Sequence, residues 1–340
     1  AMRTISSRIT SATSSSKFQR SCGASRTDRH RASLAGSSLP GSLFAFVVRG
    51  SQNTYVARMT RRTIAREIAT EGVALHAGTR VCMTLSPAPA GSGVVFRRVD
   101  LGVDILARYD AVTETNLGTV ISNGDAKVGV VEHLMASVSG AEIDDLLVTL
   151  DGPEPPILDG DALSYLTLLE EAGFRDQAAP RRVVKILKQL KVTHKDASAA
   201  LLPSACLEYD FEIEFPTPAI GRQTYSFAFS REAFRREIAP ARTFGFIREL
   251  EILKKMDRGQ GASLSNTIAI DGDRIVNAEL MRFPDEFVRH KILDAIGDMA
   301  LAGAPLIARF EGKRSGHSLN NALLRALFAD PSNYTAVNLP

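Results

Sequence analysis

No apolar run in this 340-residue chain reaches the roughly 18 residues that a membrane-spanning helix needs; LFAFVV at 43–48 is the longest near the start. Cysteine is scarce. Cys22, Cys82 and Cys206 show no paired spacing, which gives no thiolate metal site and fits a reducing compartment. Any bound metal must therefore use histidine and carboxylate. Acids are almost missing from the start, where residues 1–58 hold nine Lys/Arg against Asp28 alone. The whole-chain charge of +3 is thus misleading, since residues 59–340 keep 32 basic against 37 acidic groups. A mildly acidic body argues against a nucleic-acid surface. Residues 1–58 also lack sustained periodicity and are rich in Ser and Arg, so they read as a disordered extension.

What is present centres on residues 285–301, DEFVRHKILDAIGDMAL. At helical spacing Val288, Ile292, Ala295, Ile296 and Met299 form an apolar stripe. About 200° round the helix, Glu286, His290, Asp294 and Asp298 form a second stripe at strict i+4 steps. An imidazole and a carboxylate one turn apart can reach one ion. Charge patterning alone would make this stripe a solvated acidic face. The rest of the chain changes that reading.

At 44% hydrophobic and 23% charged, the 340 residues suggest a globular protein of about two domains. Strand-like alternation begins at Thr63, in TIAREIAT, RVCMTLSPA and GVVFRRVD, with His76 in the Gly-flanked turn EGVALHAG. Thr115 to Ser122 reads as a further strand. Val131, Leu134, Met135 and Val138 mark a short amphipathic helix carrying Glu132 and His133. A buried strand at 145–150, the loop DGPEPPILDG and a helix over 162–172 complete a first domain, 59–180. After the linker DQAAPRR, residues 181–340 repeat the order. Strands come first, then the ARTFGF turn, the 285–301 helix, strand PLIARFE and a last helix from His317. From His133 to the next helix start is 29 residues, and from His290 to its counterpart 27. The expectation is α+β, with two similar units packed together and a site in the cleft between them.

Four pieces could meet in that cleft. His133, His290 and Asp294 leave a fourth tetrahedral position for water, the pattern of a catalytic zinc site. Glu132 could take the water's proton, and His317 could protonate a leaving amine with Asp298 fixing its tautomer. Thr243 lies in the ARTFGF turn. His76 and His194 read as structural, and His30 belongs to the extension. The residues alone stop at a His/His/Asp metal hydrolase.

GVALHAG, VVEHLMA, LDGPEPPILDG, ARTFGF, DEFVRHKILDAIGD and SGHSLNN closely resemble stretches of the LpxC family, the zinc-dependent UDP-3-O-acyl-N-acetylglucosamine deacetylases of lipid A synthesis. They stand in family order over about residues 60–330. The resemblance implies two α+β sandwich domains of like topology, each with a small insert; the second, placed at about 191–222, would shape an apolar passage for the acyl chain. It implies Zn2+ on His133, His290 and Asp294, with Glu132 as base and His317 as charged partner or acid beside Asp298. It also implies that Thr243 stabilises the oxyanion, that Lys291 lines the site, and that Phe244 and Arg314 contact substrate. The sequence departs from the family pattern at Ala77, Asp161, Leu280 and Lys313 and in GQGASLSN. The expected activity is zinc-dependent release of acetate from UDP-3-O-acyl-N-acetylglucosamine by a cytoplasmic monomer. The alternatives are a deacetylase for another nucleotide sugar and a non-catalytic binding protein on the same scaffold. The extension has the composition of a transit peptide, which would imply the mitochondrial matrix, and equally of an upstream start-site artefact with the true start at Met59. The bacterial character of the body favours the artefact.

Overall fold

Along Arg80–Pro87, Val81, Met83 and Leu85 are buried and their neighbours are not; along Glu208–Glu214 the same is true of Tyr209, Phe211 and Ile213. Such alternation makes half-buried strands, and each of these belongs to a five-stranded sheet with one face on helices. The computed structural model describes residues 46–49 and 54–339. Most of the extension, with Cys22 and His30, lies outside them.

The first sheet orders its strands Ile68–Val73, Arg80–Pro87, Leu146–Leu150, Val94–Arg98, Val103–Leu106. Leu146–Leu150 runs parallel to Val94–Arg98, with Val148 opposite Phe96, and every other neighbour is antiparallel. The second sheet orders Leu190–His194, Ala197–Leu202, Arg309–Lys313, Glu208–Glu214, Arg222–Ala228. Again the late strand, Arg309–Lys313, is parallel to one neighbour, with Gly312 opposite Phe211, and the remaining pairs are antiparallel. Each late strand sits between two helices in sequence. These are α1 (Glu132–Gly140) and α2 (Leu163–Glu171) in the first half. In the second half, α3 (Ile247–Lys255) comes earlier, and α4 (Glu286–Ala300) and α5 (His317–Ala329) flank the strand. The two halves thus share one strand order and one connection scheme, an α+β repeat of sheet-and-helix layers. Helices α1 and α4 pack directly on each other, which brings the halves together at their equivalent helices.

Each half carries a small three-stranded sheet besides: Val112–Glu114, Val120–Asn123 and Ala126–Val128 in the first, and Phe244–Phe246, Ile268–Asp271 and Arg274–Ile275 in the second. The second of these corrects an expectation. Residues 191–222 supply strands of the main sheet rather than an insert; the small sheet and α3, over 244–275, are what border the cavity described below. The alternation in 191–222 is that of a sheet packed on helices, whereas 244–275 contributes a mostly half-buried lining.

Three further elements differ from the sequence reading. The linker DQAAPRR is mostly strand: Phe174–Pro180 pairs antiparallel with Thr60–Ile64. The segment 115–122 is broken, because Gly118 takes φ +133° and turns the chain between Glu114 and Val120. Tyr334–Asn338 adds an unforeseen strand beside Arg182–Ile186. Near the start, Phe46–Arg49 and Thr54–Ala57 pair as an antiparallel hairpin. Arg58 then bonds Asp144, Asp176 and the carbonyl of Glu142 at 2.8–2.9 Å, so the end of the extension is tied to the body.

Candidate active site

Where α1 and α4 cross, the sequence stripe of α4 turns inward. Glu286, His290, Asp294 and Asp298 are all at most 3% exposed, which rules out a solvated face. His133 Nε2 lies 3.7 Å and His290 Nε2 3.4 Å from Asp294 Oδ1. That oxygen is buried and has no hydrogen-bond partner. A buried carboxylate oxygen facing two imidazole nitrogens is costly unless a cation joins them, and the donor set is one that suits zinc. His290 Nδ1 donates to the carbonyl of Ala241 at 3.1 Å. This fixes the tautomer that leaves Nε2 free to ligate. Burial holds both imidazoles neutral. It pushes His133 down to about 3, with His290 adding to the effect, and lowers His290 as well. Burial alone would raise Asp294, but Lys291, the two histidines and His317 together hold it ionised, well below the usual carboxylate range. Lys291 Nζ donates to Asp294 Oδ2 at 2.6 Å. Burial works against its charge, yet Asp294 outweighs that and raises it.

Beside this trio stand Glu132 and His317. Glu132 sits at the N-terminus of α1, its Oε2 accepting from the Thr119 amide at 2.9 Å. Burial pushes it up to about 7, with Asp294 and Asp298 adding and His317 opposing. His317 opens α5. Its Nδ1 donates to Asp298 Oδ2 at 2.9 Å, and its Nε2 lies 3.7 Å from Glu132 Oε1. Burial disfavours its charge, but Asp298 and Glu132 outweigh that and hold it at about 9. At neutral pH the pair is therefore a buried imidazolium facing a carboxyl poised near its midpoint, the arrangement acid–base chemistry needs. A second triplet able to hold a cation, Glu132, Asp294 and His317, shares Asp294 with the first. The imidazolium character of His317 disfavours it.

These groups end in a cavity of about 650 Å³. Thr243 and Phe244 line it, as do Phe215, Phe246, Leu250, Leu253 and Leu264. Phe244 stacks edge-on against Phe287 and His290, with centroids 5.0 and 6.0 Å apart. The Thr243 amide donates to the carbonyl of Gly160 at 2.8 Å, and its carbonyl accepts from Ile268 at 2.9 Å, so its turn is pinned on both sides. Arg314 is not brought in. It is not among the lining residues, and its guanidinium is committed to Asp196 and Glu214 on the sheet surface. A basic residue beside a Ser-Gly turn gives no sign from sequence of which partner it will meet.

Sequence reasoning missed several residues. His76, read as structural, lines the cavity; its Nε2 donates to the carbonyl of Leu117 at 2.8 Å, and its amide donates to the buried Glu154 at 2.8 Å. Asn320 Nδ2 donates to Asp298 Oδ2 at 2.8 Å, and the Thr119 hydroxyl to Asp298 Oδ1 at 2.6 Å. Of these, only His76 carried a signal, as a histidine in a tight glycine-flanked turn. The departure at Asp161 is absorbed locally: Oδ1 accepts from the Ser164 amide and hydroxyl at 3.0 and 2.8 Å, and Oδ2 meets Arg282.

A family model described as "LpxC: UDP-3-O-acyl N-acetylglycosamine deacetylase" matches residues 61–329. The chain is 45% identical over 279 residues to a UDP-3-O-acyl-N-acetylglucosamine deacetylase of Myxococcus xanthus, covering 82% of this chain and 89% of that protein. It is 46% identical over 277 residues to the protein of the same name from Phenylobacterium zucineum, covering 80% and 94%. A third, from Neisseria meningitidis, is 43% identical over 286 residues, covering 82% and 93%.

Proposed function

The chain belongs to the LpxC family, hydrolases of an amide C–N bond, and from that premise we propose that it removes acetate from UDP-3-O-acyl-N-acetylglucosamine, an early committed step of lipid A synthesis. The observation that carries the reading is the unpartnered, buried Asp294 Oδ1 facing His133 and His290 beside the Glu132–His317 pair. His133, His290 and Asp294 would hold zinc. When bound, zinc lowers the pKa of a water to about 7 and polarises a carbonyl.

The chain's own residues do the rest. Glu132 accepts a proton from the attacking water as its oxygen joins the acetamide carbon. The Thr243 side chain, in a turn held by Gly160 and Ile268, donates to the carbonyl oxygen as negative charge develops there. Lys291 adds a positive charge beside the same atoms. His317, kept protonated by Asp298 and Glu132, delivers a proton to the glucosamine nitrogen as the C–N bond breaks. Acetate and the free amine result. Phe244 packs against substrate at the cavity wall, and the apolar residues of 244–275 suit an acyl chain better than a bare sugar. A cytoplasmic monomer is the setting that goes with this reading, and no helix among the described residues is long and apolar enough to cross a membrane.

The test is acetate release from the acylated UDP-sugar, from its unacylated analogue and from the acylated substrate after chelation. Turnover of the acylated compound alone, abolished by chelator and restored by zinc, is expected. Equal turnover of the unacylated sugar would defeat the substrate assignment, and indifference to chelator would defeat the metal.

A further inference from the structure

Outside Glu132 and His317 themselves, one residue bonds both arms of the site, by its backbone on one side and its hydroxyl on the other. Thr119 is 1% exposed, in the loop just before Val120–Asn123. Its backbone is fastened to the base. The amide donates to Glu132 Oε2 at 2.9 Å, and the carbonyl accepts from the Val131 amide at 3.3 Å. Its hydroxyl crosses to the other half of the molecule and donates to Asp298 Oδ1 at 2.6 Å, a partner 179 residues away. The two oxygens of Asp298 are thereby divided. Oδ1 is held by Thr119, while Oδ2 accepts from His317 at 2.9 Å and Asn320 at 2.8 Å. The local backbone is built for this contact: with Gly118 at φ +133°, a Cβ there would lie 2.8 Å from Glu132 Oε1.

We infer that Thr119 is a positioning residue for the acid–base pair, joining the helix that carries Glu132 to the carboxylate that orients His317. This rests on the functional reading above. A carboxylate held at one oxygen only can turn about its Cβ–Cγ bond. Holding both oxygens fixes the plane in which Oδ2 meets His317 Nδ1, and the backbone amide of the same residue holds Glu132, so one residue, through its amide and its hydroxyl, sets the spacing of base and acid. Thr119 is not among the cavity-lining residues, so its hydroxyl acts on the chemical step and not on substrate affinity.

The experiment compares wild type, Thr119→Val, Thr119→Ser and Asp298→Ala, with Thr119→Val also made in the Asp298→Ala background and zinc quantified throughout. Valine keeps the shape and the amide bond to Glu132 but removes the donor. Losing a hydrogen bond to a charged group predicts a fall in kcat of about 10- to 100-fold, with KM and zinc content unchanged. Serine should restore most of the rate, and in the Asp298→Ala background valine should cost nothing further. An unchanged kcat, a loss confined to KM, a loss of zinc, or an equal further loss without Asp298 would each overturn the inference. Should the valine variant not fold, Thr119→Ala carries the same comparison. If wild type itself releases no acetate, the substrate reading falls, and Thr119 is judged on the downfield proton NMR signal of His317 Nδ1–H. Its loss in Thr119→Val supports the positioning role, and its persistence unshifted overturns it.

Discussion

A Cβ placed on Gly297 would lie 2.0 Å from the carbonyl oxygen of Glu132. The absence of a side chain at that one position lets α4 approach the first turn of α1, where Glu132 and His133 stand. Gly297→Ala must therefore push the helices apart. We expect a destabilisation of about 1–3 kcal/mol, the usual cost of overpacking, and a fall in kcat larger than the stability loss would suggest. Thermal melts and kinetics on one sample check this; wild-type kcat in a folded Gly297→Ala protein would count against the close approach.

Asp294→Ala removes the oxygen on which both imidazoles converge. It should lose bound zinc and activity together, because two neutral histidines alone hold the ion poorly. Elemental analysis after dialysis decides the point. Full zinc in that variant would take Asp294 out of the ligand set.

Glu132→Ala and His317→Ala should keep zinc and each lower kcat by about 10²- to 10⁴-fold, the size of a general acid–base contribution. Their combination should be milder than the product of the two, since they serve one proton-transfer sequence. In the unloaded site Glu132 stands at about 7 and His317 at about 9. A bound cation favours the carboxylate and disfavours the imidazolium, so both limbs of a bell-shaped kcat/KM profile should fall below those values. The acid limb should vanish in Glu132→Ala and the alkaline limb shift in His317→Ala. An unaltered alkaline limb in the second variant would remove His317 from acid catalysis.

The same two groups predict how the zinc-free protein melts. His317 is raised above its ordinary 6.5, so the stability it contributes is full below that pH and is lost as pH rises through about 9. Glu132 is raised from 4.5 to about 7, so its contribution is likewise lost on going up through about 7. The melting temperature of the chelated protein should therefore fall between pH 6 and about 9.5, and His317→Ala should flatten the upper part of that fall. A melting temperature that rises over this range would show that other groups dominate.

A chain beginning at Met59 loses Arg58 and its bonds to Asp144, Asp176 and Glu142. It should keep wild-type kcat, because none of these residues lines the cavity. Its melting temperature should drop by about 2–4 °C relative to a chain beginning at Thr54, as expected for the loss of about 1 kcal/mol. Identical melting curves would show that Arg58 is replaceable by solvent.

Local periodicity determined much of this protein by sequence alone. The i+4 spacing of His290, Asp294 and Asp298, the Glu132–His133 pair and the repeated helix, strand, helix order are properties of short segments, and a helix fixes them wherever it packs. The tertiary structure decided what no segment contains. It decided that the polar stripe of α4 is buried rather than solvated, because Gly297 admits α1. It broke the segment 115–122 at Gly118 and set Thr119 between Glu132 and Asp298. It made a strand of the DQAAPRR linker, moved the cavity-lining insert from 191–222 to 244–275, and turned Arg314 to surface acids. Each of these depends on which distant backbone a residue meets. That choice is made by packing and strand register over the whole chain, which the period of any single element does not encode.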